Sequence, residues 1–147
     1  MDGCQKISPL RRDGGMGLFQ RILGFCKTKP PGDPECWRYN RGKVVIEWAR
    51  VPELHKPCGA IRLEGRGLPE GILVVYGMDG QFHAFKNKCS HLGSRLDPGE
   101  DVSTLQCCSL SKSTFDYGGN VISGPATESL QALPVENRKC KVVIHLD

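Results

Sequence analysis

The residues best suited to chemistry fall into two short clusters, Cys89-Ser90-His91 and Cys107-Cys108, separated by residues 92–106. Thiolate and imidazole together suit iron–sulfur clusters and tetrahedral zinc, and both ligand types can share a two-iron cluster. The surrounding sequence is rich in turn formers. Lys88 to Gly99 carries Gly93, Ser94, Pro98 and Gly99, and Cys107 to Asp116 is closed by Gly118-Gly119. A cluster needs such loops, because backbone amides must turn inward toward its sulfurs. A Cys-x-His in a glycine-flanked loop after a strand has little packing rationale. The other candidates have blander readings. Cys58 and Cys140 read as small core hydrophobes, Cys4 as incidental, and Cys26 and Cys36 as linker-flanking residues without a CxxC partner. His55 reads as solvated in a turn, His83 as a strand-surface residue and His145 as structural.

Elements must exist to position those loops. The 147 residues are about one domain long, too short for a second catalytic domain. With 18 glycines and 10 prolines, the composition favours a turn-rich β architecture. The net charge of +4 is uneven: residues 1–70 hold 13 Lys/Arg against 8 Asp/Glu, and the remainder holds 7 against 8. That bias is too sparse, and too poor in interleaved aromatics, for a nucleic-acid binder. No apolar run reaches the roughly 18–20 residues of a membrane span. Eight cysteines without a signal-peptide hydrophobic region point to a reducing cytoplasm, where cysteines serve as ligands or core residues rather than disulfides.

Residues 1–14 read as a polar tail, and GLFQRILGFCK (17–27) has the apolar spacing of a short amphipathic helix. That helix packs on its own domain or docks a partner. Lys29 to Pro34 reads as a linker, so that residues 1–36 form tail, helix and linker and 37–147 the folded domain. Alternation predicts Val44, Ile46 and Trp48 on one strand face. Further strands are predicted at Ala60–Leu63, Ile72–Tyr76 and, after a Met78-Asp79-Gly80 turn, Gln81–Phe85. Four more are predicted at Val102–Cys107, Asn120–Ser123, Leu133–Glu136 and Cys140–Leu146, with Asn137-Arg138-Lys139 turning between the last two.

With these loops and strands in view, the chain resembles the Rieske family, whose pattern is Cys-x-His, about 15 to 17 residues, then Cys-x-x-His. Cys89-Ser90-His91 matches the first half, and Gly93, Leu96 and Asp97 are similar to the family's first loop. Cys108 stands at the second cysteine. Ser113, Phe115 and Asp116 resemble the serine, aromatic and aspartate that the family places after its second histidine. Gly124-Pro125-Ala126 and Leu133-Pro134-Val135 resemble the proline loop and returning strand. The departure is Ser111, which occupies the second histidine's position. The resemblance implies an all-β, Rieske-like antiparallel β-sandwich with an inserted cluster-binding subdomain (loops about 88–116), preceded by the short helix. It also implies a 2Fe-2S cofactor with ligands Cys89, His91 and Cys108, the fourth being Ser111, Cys107 or a residue further away. Ser111 is in register but hard, whereas Cys107 is soft but faces away from Cys108 unless the strand bulges.

The function so implied is soluble electron transfer to or from a protein redox partner, a reductase or an oxygenase, with no enzymatic step of its own. Two alternatives stand beside it. One is a cluster-free Rieske-like interaction subunit of such a complex. The other is a zinc module using Cys89, His91, Cys107 and Cys108.

Overall fold

The structure, a computed structural model, describes residues 26–90, 93–108 and 112–146. The expected N-terminal helix therefore lies outside the described residues except for Cys26 and Lys27, which are in irregular backbone. Among the described residues, twelve strands form three antiparallel four-stranded sheets. The first contains β1 (Trp37–Asn40), β2 (Lys43–Glu47), β11 (Val135–Arg138) and β12 (Lys141–His145). The second contains β3 (Gly59–Leu63), β4 (Ile72–Tyr76), β5 (Phe82–Lys86) and β10 (Ala132–Leu133). The third contains β6 (Leu96–Pro98), β7 (Thr104–Cys107), β8 (Thr114–Asp116) and β9 (Val121–Ser123).

The second sheet is shared by two cores, which explains the unbroken apolar run of β4. Ile72 and Val74 point to one face, where Ile61, Leu63, Phe82 and Ala84 meet Val44, Ile46, Val142 and Ile144 of the first sheet. Leu73 and Val75 point to the other face, where Phe85 meets Leu96, Leu105, Cys107 and Phe115 of the third sheet. A strand covered on both faces needs no polar alternation. The expected sandwich is thus the first two sheets, and the expected inserted subdomain is the third, packed on the sandwich's outer face.

Several local expectations are corrected. Trp48 lies past the end of β2, although it still packs against the core of Val44 and Ile46. It begins a 3-10 turn (Trp48–Arg50) and stacks on the His55 ring at 3.8 Å between centroids. His55 is consequently half-buried, with its Nε2 2.6 Å from the Trp48 carbonyl oxygen. The predicted strand Leu133–Glu136 is cut at Pro134, which has no N–H for a ladder. Ala132–Leu133 pairs with β5, and Val135–Arg138 with β12. Arg138 remains in that strand, so the turn before β12 falls at Lys139-Cys140. The linker residues are docked: Arg62 N–H donates to the Lys29 carbonyl at 3.1 Å, and Cys36 is fully buried in the main core.

Candidate metal centre

Each loop is held by backbone bonds at its base. Cys89 N–H donates to the Ser94 carbonyl at 2.6 Å and Gly93 N–H to the Cys89 carbonyl at 2.9 Å. Gly93 has φ +74, a left-handed conformation that costs glycine little. The side-chain carbonyl of Asn87 accepts the Leu96 N–H at 2.7 Å, fixing where the chain enters β6. In the second loop, Cys107 N–H donates to the Ser113 carbonyl at 2.9 Å and Cys108 N–H to the Arg95 carbonyl at 2.8 Å. Ser113 is fully buried, and its Oγ accepts the Ala126 N–H at 3.0 Å, so the 124–126 turn packs directly on the loop.

These constraints bring Cys89 and Cys107 together. Their sulfurs are joined across the two loops, with Cα atoms 5.8 Å apart, and both residues are 2% exposed among Phe85, Leu96, Leu105 and Phe115. Cys108 points to the opposite side of β7, where its sulfur is joined to that of Cys26, Cα to Cα 5.2 Å. His91 and Ser111 lie outside the described residues. The structure therefore assembles Cys89 with Cys107 rather than with Cys108. It also separates the two adjacent sulfurs that a zinc site of Cys89, His91, Cys107 and Cys108 would need on one side.

Cysteine pairing corrects the reading of Cys140 as an inert core thiol. Cys26, Cys89, Cys107, Cys108 and Cys140 are all disulfide-bonded. Cys58, read as buried, is exposed at φ +67, whereas Cys36 is the buried free thiol. His83 sits as expected on the strand surface, 2.8 Å from Asp79 Oδ2 and stacked on Tyr117, and His145 lies 3.1 Å from Glu136. Cys26 escaped sequence reasoning because its partner is 82 residues away and no short motif joins them. Asp97 was legible only as part of a motif; here it is a 4% exposed carboxylate that binds the backbone of residues 27 and 28.

Beside Cys89 an open cleft of about 400 Å³ is lined by Lys86, Lys88, Glu70, Glu128 and Leu130. Lys86 Nζ is 3.2 Å from Glu70 Oε2, and Ser90 Oγ donates to the Glu128 carbonyl at 2.5 Å.

A β-sandwich that carries a small three-strand-plus-edge sheet, with cysteines of two loops meeting at its buried end, defines a small redox domain of the iron–sulfur class. The family model described as the Rieske [2Fe-2S] domain matches residues 47–134, and the chain belongs to that family. Its cofactor is a two-iron, two-sulfide cluster. The ferredoxin component of the naphthalene 1,2-dioxygenase system of Pseudomonas putida is 28% identical over 75 residues, covering 50% of this chain and 72% of the relative. The ferredoxin of carbazole 1,9a-dioxygenase from Nocardioides aromaticivorans IC177 superposes with TM-score 0.53 at 20% identity, over 63% of this chain and 88% of that one. A quaternary ammonium Rieske monooxygenase, CntA, gives TM-score 0.51 at 26% identity over 65% of this chain but only 30% of its own. These likenesses support an electron-transfer protein of the Rieske type. Among the described residues no helix is long and apolar enough to cross a membrane.

The donor chemistry fits the thiolate half of such a cluster. Reduced, Cys89 and Cys107 offer two soft sulfurs from two loops at one apolar place, which is what one iron takes from its protein.

Proposed function

We propose that this protein is a one-electron carrier whose 2Fe-2S cluster has atypical ligation: Cys89 and Cys107 on one iron, and His91 with Ser111 on the other. The observation that carries the reading is the meeting of Cys89 and Cys107 at the buried end of the third sheet. When bound, the cluster supplies a one-electron couple, and no acid, base or nucleophile is required of the chain. The chain's own work is positional. Phe85, Leu96, Leu105 and Phe115 keep bulk water from the two sulfurs, and the Asn87–Leu96 and Ser113–Ala126 bonds fix the loops before any ligand binds. Preformed loops lower the reorganisation that electron transfer must overcome. In the family the exposed edge of a histidine ligand is the exit point, which makes His91 the partner-facing residue. The partner is a reductase or an oxygenase, in keeping with relatives that are components of dioxygenase systems.

A second reading is favoured by the joined sulfurs themselves, because a disulfide offers no thiolate. In that state the chain is a cluster-free interaction subunit. Anaerobic purification under reductant, then iron, sulfide and zinc analysis and reduced-state EPR, separates the two. About two irons and two sulfides per chain with a rhombic signal are expected. A colourless, iron-free protein under those conditions would leave the interaction subunit.

A further inference from the structure

The first sheet has a second face, turned away from the core. Alternation places it residue by residue: Val44, Ile46, Val142 and Ile144 point inward, so Lys43, Val45 and Glu47 of β2 and Lys141, Val143 and His145 of β12 point outward. Register carries Arg38 of β1 onto the same face beside Val45, and Glu136 and Arg138 of β11 beside Val143 and Lys141. The turns at the two ends of the sheet add Arg41 and Lys139, both exposed. Six cationic side chains are thus gathered around two carboxylates.

Both carboxylates are already engaged. Glu47 meets Arg38 at 3.9 Å and Arg50 at 3.5 Å, and Glu136 accepts from Arg138 Nε at 2.8 Å with His145 Nε2 at 3.1 Å. Among the described residues no carboxylate pairs with Arg41, Lys43, Lys139 or Lys141. The large apolar side chains exposed among the described residues, Met78, Val102 and Ile122, all lie elsewhere. The face therefore offers charge in a fixed pattern and no apolar wedge. A lipid headgroup layer or a nucleic-acid backbone is uniformly anionic and would meet Glu47 and Glu136 as repulsion. A protein can set carboxylates against the four unpaired cations and leave the two ion-paired glutamates opposite neutral groups. The second sheet separates this face from the third, so the Cys89–Cys107 pair lies about two sheet spacings, roughly 20 Å, away.

We propose that the outer face of the first sheet is a docking surface for an acidic protein, seated by Arg41, Lys43, Lys139 and Lys141. A partner on this face leaves the third-sheet side of the molecule uncovered. The chain is then held by one protein while its opposite side stays free for another. This goes beyond the carrier reading and does not depend on which residues bind a cluster.

Zero-length carbodiimide coupling joins a lysine amine to a carboxylate in contact with it. The full chain is cross-linked in an extract of the cells that make it, and the coupled peptides are sequenced. The protein so identified is purified and its association rate measured by biolayer interferometry. Lys43, Lys139 and Lys141 should be coupled to Asp or Glu side chains of one protein. Lys43→Glu/Lys141→Glu should slow association about tenfold at low salt, the difference shrinking near about 0.5 M salt, with iron content and circular dichroism as in wild type. Lys88→Glu, beside Cys89, should change the rate less than about twofold. Coupling through Lys86 or Lys88 alone, or equal slowing by the Lys88 variant, overturns the proposal. So does binding of phosphatidylserine vesicles or a DNA duplex through Lys43 and Lys141 with no protein coupled to them, which would make the face a general polyanion surface. Iron missing from wild type while docking persists would count against the carrier reading alone.

Discussion

Cys107 and Cys108, adjacent in sequence, are committed to opposite faces of the β6–β7 pair, Cys107 to Cys89 inside the core and Cys108 to Cys26 outside it. Strand alternation enforces this, since Cys107 pairs in register with Leu96 and no bulge interrupts the ladder there. Sequence alignment alone would favour Cys108 as the ligand. The proposed ligation takes Cys107, whose sulfur meets that of Cys89. Cys107→Ser should therefore lose the visible cluster spectrum and most of the iron, while Cys108→Ser keeps both. Iron and sulfide analysis of the two variants checks this, and the reverse pattern would return the role to Cys108.

Replacing a neutral imidazole by a serine alkoxide puts negative charge beside the iron and stabilises the oxidised cluster. The expected potential therefore lies below the roughly −150 to +300 mV of two-histidine Rieske centres, toward the ferredoxin range of about −400 mV. Ser111→His should raise it. Protein-film voltammetry of wild type and variant measures both, and equal potentials would sink the charge argument.

Phe115 is fully buried where the third sheet packs on Leu73, Val75 and Phe85 of the second. Truncation to alanine leaves a cavity beneath the loops and should cost about 3–5 kcal/mol. Urea unfolding monitored by circular dichroism should show the midpoint falling with an unchanged m-value. A loss below about 1 kcal/mol would mean that the third sheet is not tightly packed on the sandwich.

Asp116 ends β8 and organises the turn beyond it. Its Oδ1 accepts the Asn120 and Gly118 N–H groups, each at 2.9 Å, and the Asn120 N–H above all holds the carboxyl below its ordinary range. A depressed folded-state pKa gives stability that is complete above the unfolded value of about 3.9 and is lost as the pH falls through the folded one. Asp116→Ala should thus cost about 1 kcal/mol at neutral pH and distinctly less near pH 3. Urea midpoints of wild type and variant at the two pH values check this; a gap that stays constant would mean that the carboxylate charge contributes nothing.

Much of the fold was legible because local pattern and tertiary burial agree. The run Ile72–Tyr76 is a strand in full, and the split of Phe82 and Ala84 from Phe85 correctly placed apolar residues on both faces of β5. The illegible parts depend on partners distant in sequence. Trp48 continues the alternation of Val44 and Ile46 but stands in a 3-10 turn, stacked on His55 while packing on the same core, and Pro134 passes one apparent strand between two sheets. At the site, the loops could be read from their glycines and cysteines. Which of Cys107 and Cys108 meets Cys89 could not, because it depends on the register with Leu96 and on Cys26, which no spacing rule connects to either loop.

The two free cysteines among the described residues should differ sharply in reactivity. Cys36 is fully buried, and burial, together with the nearby carboxylates Asp33 and Glu53, pushes its thiol up to about 11. At pH 8 almost none of it is thiolate, and no reagent reaches it without unfolding. Cys58 is exposed in a turn at the edge of an open cleft lined also by Lys27 and Asp97. Iodoacetamide at pH 8 should label Cys58 within minutes and leave Cys36 unmodified until denaturant is added. The rate at Cys36 should then track the opening of the main core. Equal labelling in the native state would mean that the 3-10 turn Pro34–Cys36 is not docked on that core and that the packed domain begins after it.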